Sequence, residues 1–376
     1  MKKPVSANKA KSAPKRPSAQ KEIKKNTPQF QWEGIIVFAV AVVFYATSIN
    51  NHYCLDDVMV ITLNAFTIKG LKGIHDIFTK DTFYGFIGSN STLTGGRYRP
   101  LSVFTFALEW EFFKDSPHIS HIINVMLYAL TGTLFYKFVK EFIFKTNKWA
   151  ALTAALIFVI HPIHTEVIDN IKSRDELLSL LGSLASLYFL LGYVKNKNTG
   201  YYILSGLCFF VALFSKENTI TYLAVMPLAL YLFADKKPAK IFQILIPHLV
   251  LALLFISIRA SIVPMNTKPD PEILNNPYIN ATFAQKYATI FLTLLIYIKL
   301  LFIPYPLSYD YSFNEIPYTG FADYRVLLSL LVYFGSFAWA LMNLKKRPVP
   351  AFFNHLLYSY PFYYLQSYRK YRRPDG

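Results

Sequence analysis

Apolar residues come in long unbroken blocks along this chain, and that arrangement limits its fold more than any other feature. The first block covers 34–49, and others follow at about 121–139, 149–163, 177–194, 201–214, 219–234, 241–260, 286–303 and 325–344. A helix needs about 20 consecutive apolar residues to cross a hydrocarbon core, and most of these blocks come close. Hydrophobic residues make up 53% of the chain and charged residues only 16%. The charged share is well under the roughly 25% of an average globular protein, so a simple cytosolic enzyme and a disordered chain are both excluded. Two cysteines, Cys54 and Cys208, are too few for a disulfide scaffold. The expected fold class is all-α, a polytopic helical membrane protein with about 8–9 hydrophobic helices.

Lysine and arginine set the sides of such a protein. Residues 1–33 carry nine Lys/Arg and two Glu, interrupted by Pro4, Pro14, Pro17 and Pro28. They read as a disordered basic cytoplasmic arm. A cleavable signal peptide is not expected, because the basic region is too long and no small-residue cleavage site follows the first block. With the N-terminus inside, segments 1–33, 137–148, 195–200, 235–240 and 345–376 hold 25 Lys/Arg against 5 Asp/Glu, and the remainder holds 14 against 17. Placement, rather than any nucleic-acid partner, explains the net charge of +17, and membrane lipids are the expected surroundings. Nine crossings would leave Lys345, Lys346 and Arg347 outside, so one block must not cross. Block 286–303 carries Lys299 between polar loops and is expected to be interfacial or re-entrant, leaving about eight crossings. The transmembrane module then covers 34–344, with a large first extracytoplasmic loop over 51–120. The basic, tyrosine-rich tail 345–376 lacks helical periodicity and reads as an interfacial aromatic segment or as a truncated or out-of-frame end.

Five clusters of ionisable residues fall on the outer face in this topology, where charge near membrane depth is a mark of function. Asp56 and Asp57 follow the first block closely; adjacent carboxylates suit a general base or a divalent cation, and equally a helix N-cap in a solvated loop. Arg97 and Arg99, after a glycine pair, can clamp a phosphate through planar forks or snorkel to the interface. His161, His164 and Glu166, followed by Arg174, Asp175 and Glu176, place eight ionisable residues within 161–176. Their spacing suits proton transfer or a metal, although Pro162 argues against a regular two-turn zinc helix. Lys216 and Glu217 occupy a tight turn, as a local ion pair or with the lysine on a phosphate. Asp310 sits between Tyr309 and Tyr311, suited to a hydroxyl-rich ligand or to a capped turn.

Taken in order, LDD (55–57), GGRYRPLS (95–102), HPIHTEVI (161–168), SRDELL (173–178), SKEN (215–218) and PLSYDYSF (306–313) resemble one family. The chain is similar over roughly 32–345 to the transmembrane O-mannosyltransferases with tetratricopeptide repeats and their bacterial relatives, of the GT-C class of polytopic glycosyltransferases. The resemblance implies a lipid-linked sugar donor, a polyprenyl- or dolichyl-phosphate carrying mannose. It also implies transfer to a hydroxyl of a protein or glycan acceptor on the extracytoplasmic face. In that class an acidic residue at the start of the first outer loop is the base or binds a metal, which carries over to Asp56 and Asp57, with Mg or Mn as the implied cofactor. Arg97, Arg99, Arg174 and Lys216 are assigned to the donor phosphate by their chemistry, and Glu217 and Asp310 to the acceptor or sugar. His161, His164 and Glu166 match the family's HPxHTE motif and join the catalytic set without individual roles. The family's membrane module continues beyond the point where this chain enters its tail after Arg347.

The expected reaction is therefore hexosyl transfer by a GT-C-type enzyme. The rivals are a polytopic transporter or lipid flippase, and an inactive truncated fragment. A Lys-, Ile-, Phe- and Tyr-rich composition favours a bacterial inner membrane, with the endoplasmic reticulum membrane as the alternative.

Overall fold

Helix ends in this chain are written by a few residues, and the architecture follows from where they fall. A computed structural model describes residues 32–54, 56–88, 96–234, 236–263, 278–308 and 315–343. Among these residues every regular element is helical. The longer helices are α1 (Trp32–Phe44), α2 (Pro100–Phe113), α3 (Pro117–Phe138), α4 (Lys148–Ile160), α5 (Arg174–Asn196), α6 (Thr199–Ser215), α7 (Tyr222–Ala234), α8 (Pro238–Ile262), α9 (Phe283–Phe302) and α10 (Tyr324–Asn343). Pro100, Pro117 and Pro238 open α2, α3 and α8, where a missing N–H costs nothing. Asn147 and Asn198 cap α4 and α6 by accepting from Ala150 N at 3.0 Å and Gly200 N at 2.8 Å. Thr282 and Gln285 form a reciprocal capping box on α9. Lys197, at φ 57°, ends α5 in the left-handed region and folds α6 straight back along it.

The described residues from Glu33 onward form one unit around a core that runs from Val37 on α1 to Phe255 on α8. Close approach of α5 and α6 depends on Gly182, where a Cβ would lie 2.7 Å from the Ala212 Cβ and 3.1 Å from the Cys208 carbonyl oxygen. Polar side chains tie the same helices to α8. Ser186 Oγ donates to the Ser205 carbonyl at 2.8 Å, and Ser205 Oγ lies 2.9 Å from His248 Nε2. Hydrogen bonds of this kind between membrane helices are worth about 0.6 kcal/mol each. Helices α9 and α10 pack on each other through Ala288, Leu292 and Val326, a small core of their own.

The chain is a polytopic helical membrane protein, with fewer clear crossings than its apolar blocks suggest. Among the described residues, four segments suffice to span by length and composition: Pro117–Ile143, Ile171–Asn196, Pro238–Ile262 and Phe283–Phe302. A fifth follows if α4 and Pro162–Asp169, bent by 47°, count as one span. This falls short of about eight crossings because several blocks are broken. Block 34–49 splits into α1 and a 3₁₀ turn at Ala46–Asn50. Block 149–163 stops at Ile160, because Pro162 forces His161 into an extended conformation (ψ 123°). Block 219–234 opens with a 3₁₀ turn and carries Pro227 inside α7. The expectation of a re-entrant break in block 286–303 is corrected in the other direction. It is one continuous 20-residue helix long and apolar enough to cross, with Lys299 in the last turn, where a long amine can snorkel to the rim. The segment after α1 is also more than a loop: short helices at Asp57–Val60, Ile74–Thr79 and Tyr84–Ile87 pack with α2.

Candidate active site

Helix termini from distant parts of the chain meet at one end of the bundle, and their charges pair across it. Arg99, just before α2, is buried; its Nη1 donates to Asp175 Oδ2 at 2.6 Å and its Nε to Glu217 Oε2 at 3.2 Å. Arg259, in the last turn of α8, approaches the other Glu217 oxygen at 3.6 Å. Lys216 is paired with Glu176. Burial pushes the Arg99 guanidinium down, but Glu217 and Asp175 more than reverse this and hold it above its ordinary value. Burial likewise pushes the Glu217 carboxyl up, and Arg99 and Arg259 outweigh it and hold it below the usual glutamate range. A small cavity beside this network is lined by Arg97, Arg99, Lys172 and Asp175 over Val60, Phe83 and Phe106. The Arg97 guanidinium lies 5.3 Å from the Phe83 ring centre.

The two first-loop aspartates have different surroundings. Asp57 is fully buried, and its oxygens accept the backbone N–H groups of Cys54 at 2.9 Å and Lys172 at 2.7 Å. Burial is the main influence on its carboxyl and, with Asp56 beside it, raises the pKa above the usual aspartate value despite those hydrogen bonds. Asp56 is partly exposed, with Oδ2 3.2 Å from the Lys172 ammonium. A resident divalent ion is a poor fit to this pair, since both Asp57 oxygens are taken by amides and a lysine already occupies the cation position at Asp56. Among the described residues no group of three or more His, Cys, Asp and Glu is placed to hold a metal.

Arg174 is enclosed completely. It pairs with Glu109, donates from Nε to Asn124 Oδ1 at 2.7 Å and from Nη2 to the Ser120 carbonyl at 2.9 Å, and lies 4.4 Å from the Phe106 ring centre. Ser120 Oγ donates to Glu109 at 2.5 Å, completing the set. His161 and His164 hold the bend after α4. His161 Nδ1 accepts from Ile163 N at 3.2 Å, so Nε2 carries the proton and donates to the Leu301 carbonyl at 3.0 Å. His164 Nδ1 is 2.9 Å from the Tyr128 hydroxyl. Glu166 is exposed, within electrostatic reach of Lys172, Glu176 and Lys216. Asp310 lies outside the described residues. Sequence reasoning missed Glu109, Arg259 and Lys172. The first two were visible as charges within apolar helices; Lys172 belongs to no motif and becomes notable only through its contacts.

Two family profiles match the chain. One, described as dolichyl-phosphate-mannose-protein mannosyltransferase, covers residues 100–263; the other, protein O-mannosyl-transferase TMTC, DUF1736, covers 266–337. Through these profiles the chain is similar to the protein O-mannosyl-transferase TMTC family. Among its relatives, protein O-mannosyl-transferase F38B6.6 of Caenorhabditis elegans is 28% identical over 80% of this chain and 42% of its own length. Protein O-mannosyl-transferase TMTC2 of Homo sapiens is 29% identical over 84% of this chain and 39% of its own length. The chain thus spans about two fifths of the curated relatives it matches. No solved structure matches.

Proposed function

We propose that the chain is a membrane mannosyltransferase that moves mannose from a polyprenyl- or dolichyl-phosphate donor to a hydroxyl of a protein or glycan on the extracytoplasmic face. The observation that carries this reading is a partly exposed carboxylate, Asp56, paired with Lys172, which lines a small cavity together with Arg97 and Arg99. Asp56 takes the acceptor hydroxyl's proton, the oxygen attacks the sugar C1, and the C1–O bond to phosphate breaks. Arg97 and Lys172 face the phosphate as charge grows on it. Arg99, Lys216 and Glu217 hold the rim through ion pairs, Arg174 anchors the start of α5, and Asp57 pins the first loop to α5. His161 and His164 fix the bend that presents Glu166 to the same rim. No step is routed through a divalent ion. The profile matches and the relatives' names support the sugar and the reaction type. Those relatives are animal proteins, so the preference for a bacterial inner membrane gains nothing from them and stays a compositional reading.

The test is release of labelled mannose from polyprenyl-phosphate-mannose into acceptor in proteoliposomes holding the full chain. Transfer that disappears in Asp56→Asn supports the proposal; full activity in that variant removes Asp56 as base. Movement of intact donor across the bilayer with no glycosylated product would favour a flippase.

A further inference from the structure

Lys172 engages both first-loop carboxylates, in two different ways. Its backbone N–H donates to Asp57 at 2.7 Å, while its ammonium pairs with Asp56 at 3.2 Å. Three other cations at this end are held by carboxylates: Arg99 donates to two, Lys216 is paired with Glu176, and Arg174 is enclosed with Glu109. Lys172 lines the cavity with Arg97 and Arg99, and alone among them pairs with Asp56, on a flexible stem whose compact charge can swing between partners. We propose that Lys172 is a charge latch, its ammonium resting on Asp56 and passing to the donor phosphate as the sugar is transferred. The inference rests on the mannosyl-transfer reading above.

The charge balance of the reaction gives the reason. At the start Asp56 is an anion, as its ion pair with Lys172 requires, and the donor phosphate, esterified to sugar and lipid, carries a single negative charge. The acceptor O–H then gives its proton to Asp56. Its oxygen bonds to C1, and the C1–O bond breaks with the electron pair staying on the phosphate. Asp56 is now neutral and holds the ammonium weakly. The departing lipid phosphate has become a monoester with a charge of roughly −1.5 to −2. Both changes draw Lys172 the same way, so its interaction strengthens as the transition state is reached, which is the condition for raising kcat. Loss of the product phosphate and of the Asp56 proton returns the latch to rest.

Lys172→Met and Lys172→Arg, made in the full chain, both keep the backbone N–H on Asp57, so the first loop stays anchored. Lys172→Met is expected to lower kcat about 100-fold, the scale of losing one donor aimed at developing charge. It should weaken inhibition by polyprenyl phosphate about tenfold with a much smaller change in donor KM, and Lys172→Arg should recover most of both. An active wild-type protein whose Lys172→Met variant keeps its kcat and product inhibition overturns the latch alone. So does a Lys172→Met defect that follows a fall in thermal stability and is not rescued by arginine. A wild-type chain that neither transfers mannose nor binds polyprenyl phosphate overturns the transfer reading, and the latch with it.

Discussion

Adjacent carboxylates with different partners should fail differently when each is neutralised. Asp57 accepts two backbone N–H groups, and an asparagine has one oxygen to offer them. Asp57→Asn is therefore expected to cost about 1.5–3 kcal/mol and to lower thermal stability along with activity. Asp56→Asn should abolish transfer with little change in melting temperature. The same logic gives Arg174→Met a large penalty, about 3–5 kcal/mol, because it leaves Glu109 charged and buried without its partner. Folded yield in detergent would measure it, and Glu109→Gln added to Arg174→Met should restore part of the loss. Glu217 supplies a pH signature. Its carboxyl is held below the usual value, so its stabilisation is fully present above about pH 4.3, the ordinary glutamate pKa, and is lost as pH falls through the lowered one. Glu217→Gln should melt below wild type at pH 7, and the gap should close on acidification below about pH 4.

Helices α5 and α6 carry most of the rim: Asp175 and Glu176 open one, and Lys216 follows the other. Their spacing is set far from the charges, at Gly182, where a side chain would meet Ala212 and the Cys208 carbonyl. Gly182→Val is expected to cost about 1–3 kcal/mol through overpacking, seen as a lower melting temperature. Because the helices are levers, it should also part Lys216 from Glu176 and reduce transfer beyond what the stability loss explains. Gly132 on α3, where a Cβ would lie 2.4 Å from Val159 Cγ1, makes the same close approach to the end of α4, two residues before His161.

At the scale of the whole molecule the reading depends on sidedness. Helix α5 has 23 residues, about 34 Å at 1.5 Å per residue, so Lys172 and Lys195 stand at opposite ends of a span. A membrane-impermeant maleimide should reach Cys54 and an engineered Glu166→Cys from one compartment and Lys195→Cys only from the other. Partial burial, then the Asp57 carboxylate, pushes the Cys54 thiol up to about 11, so its labelling should be slow at neutral pH and faster in alkali. Cys54 and Glu166→Cys reacting from different sides would separate the acid from the rest of the cluster. Helical class and the break at Pro162 were legible in the chain because each depends on local composition or backbone chemistry. The number of clear crossings was less legible, since 3₁₀ turns and an internal proline shorten blocks that hydropathy alone reads as continuous. The motifs marked Asp56, Asp57, Arg99, Lys216 and Glu217 as worth watching but gave no way to divide their work. Lys172 meets Asp57 across 115 positions, and Arg99 meets Glu217 across 118. Which acid is pinned by amides, which cation is enclosed and which faces the cavity are settled only when helix ends pack, because burial and pairing are properties of the neighbours that three-dimensional contact supplies.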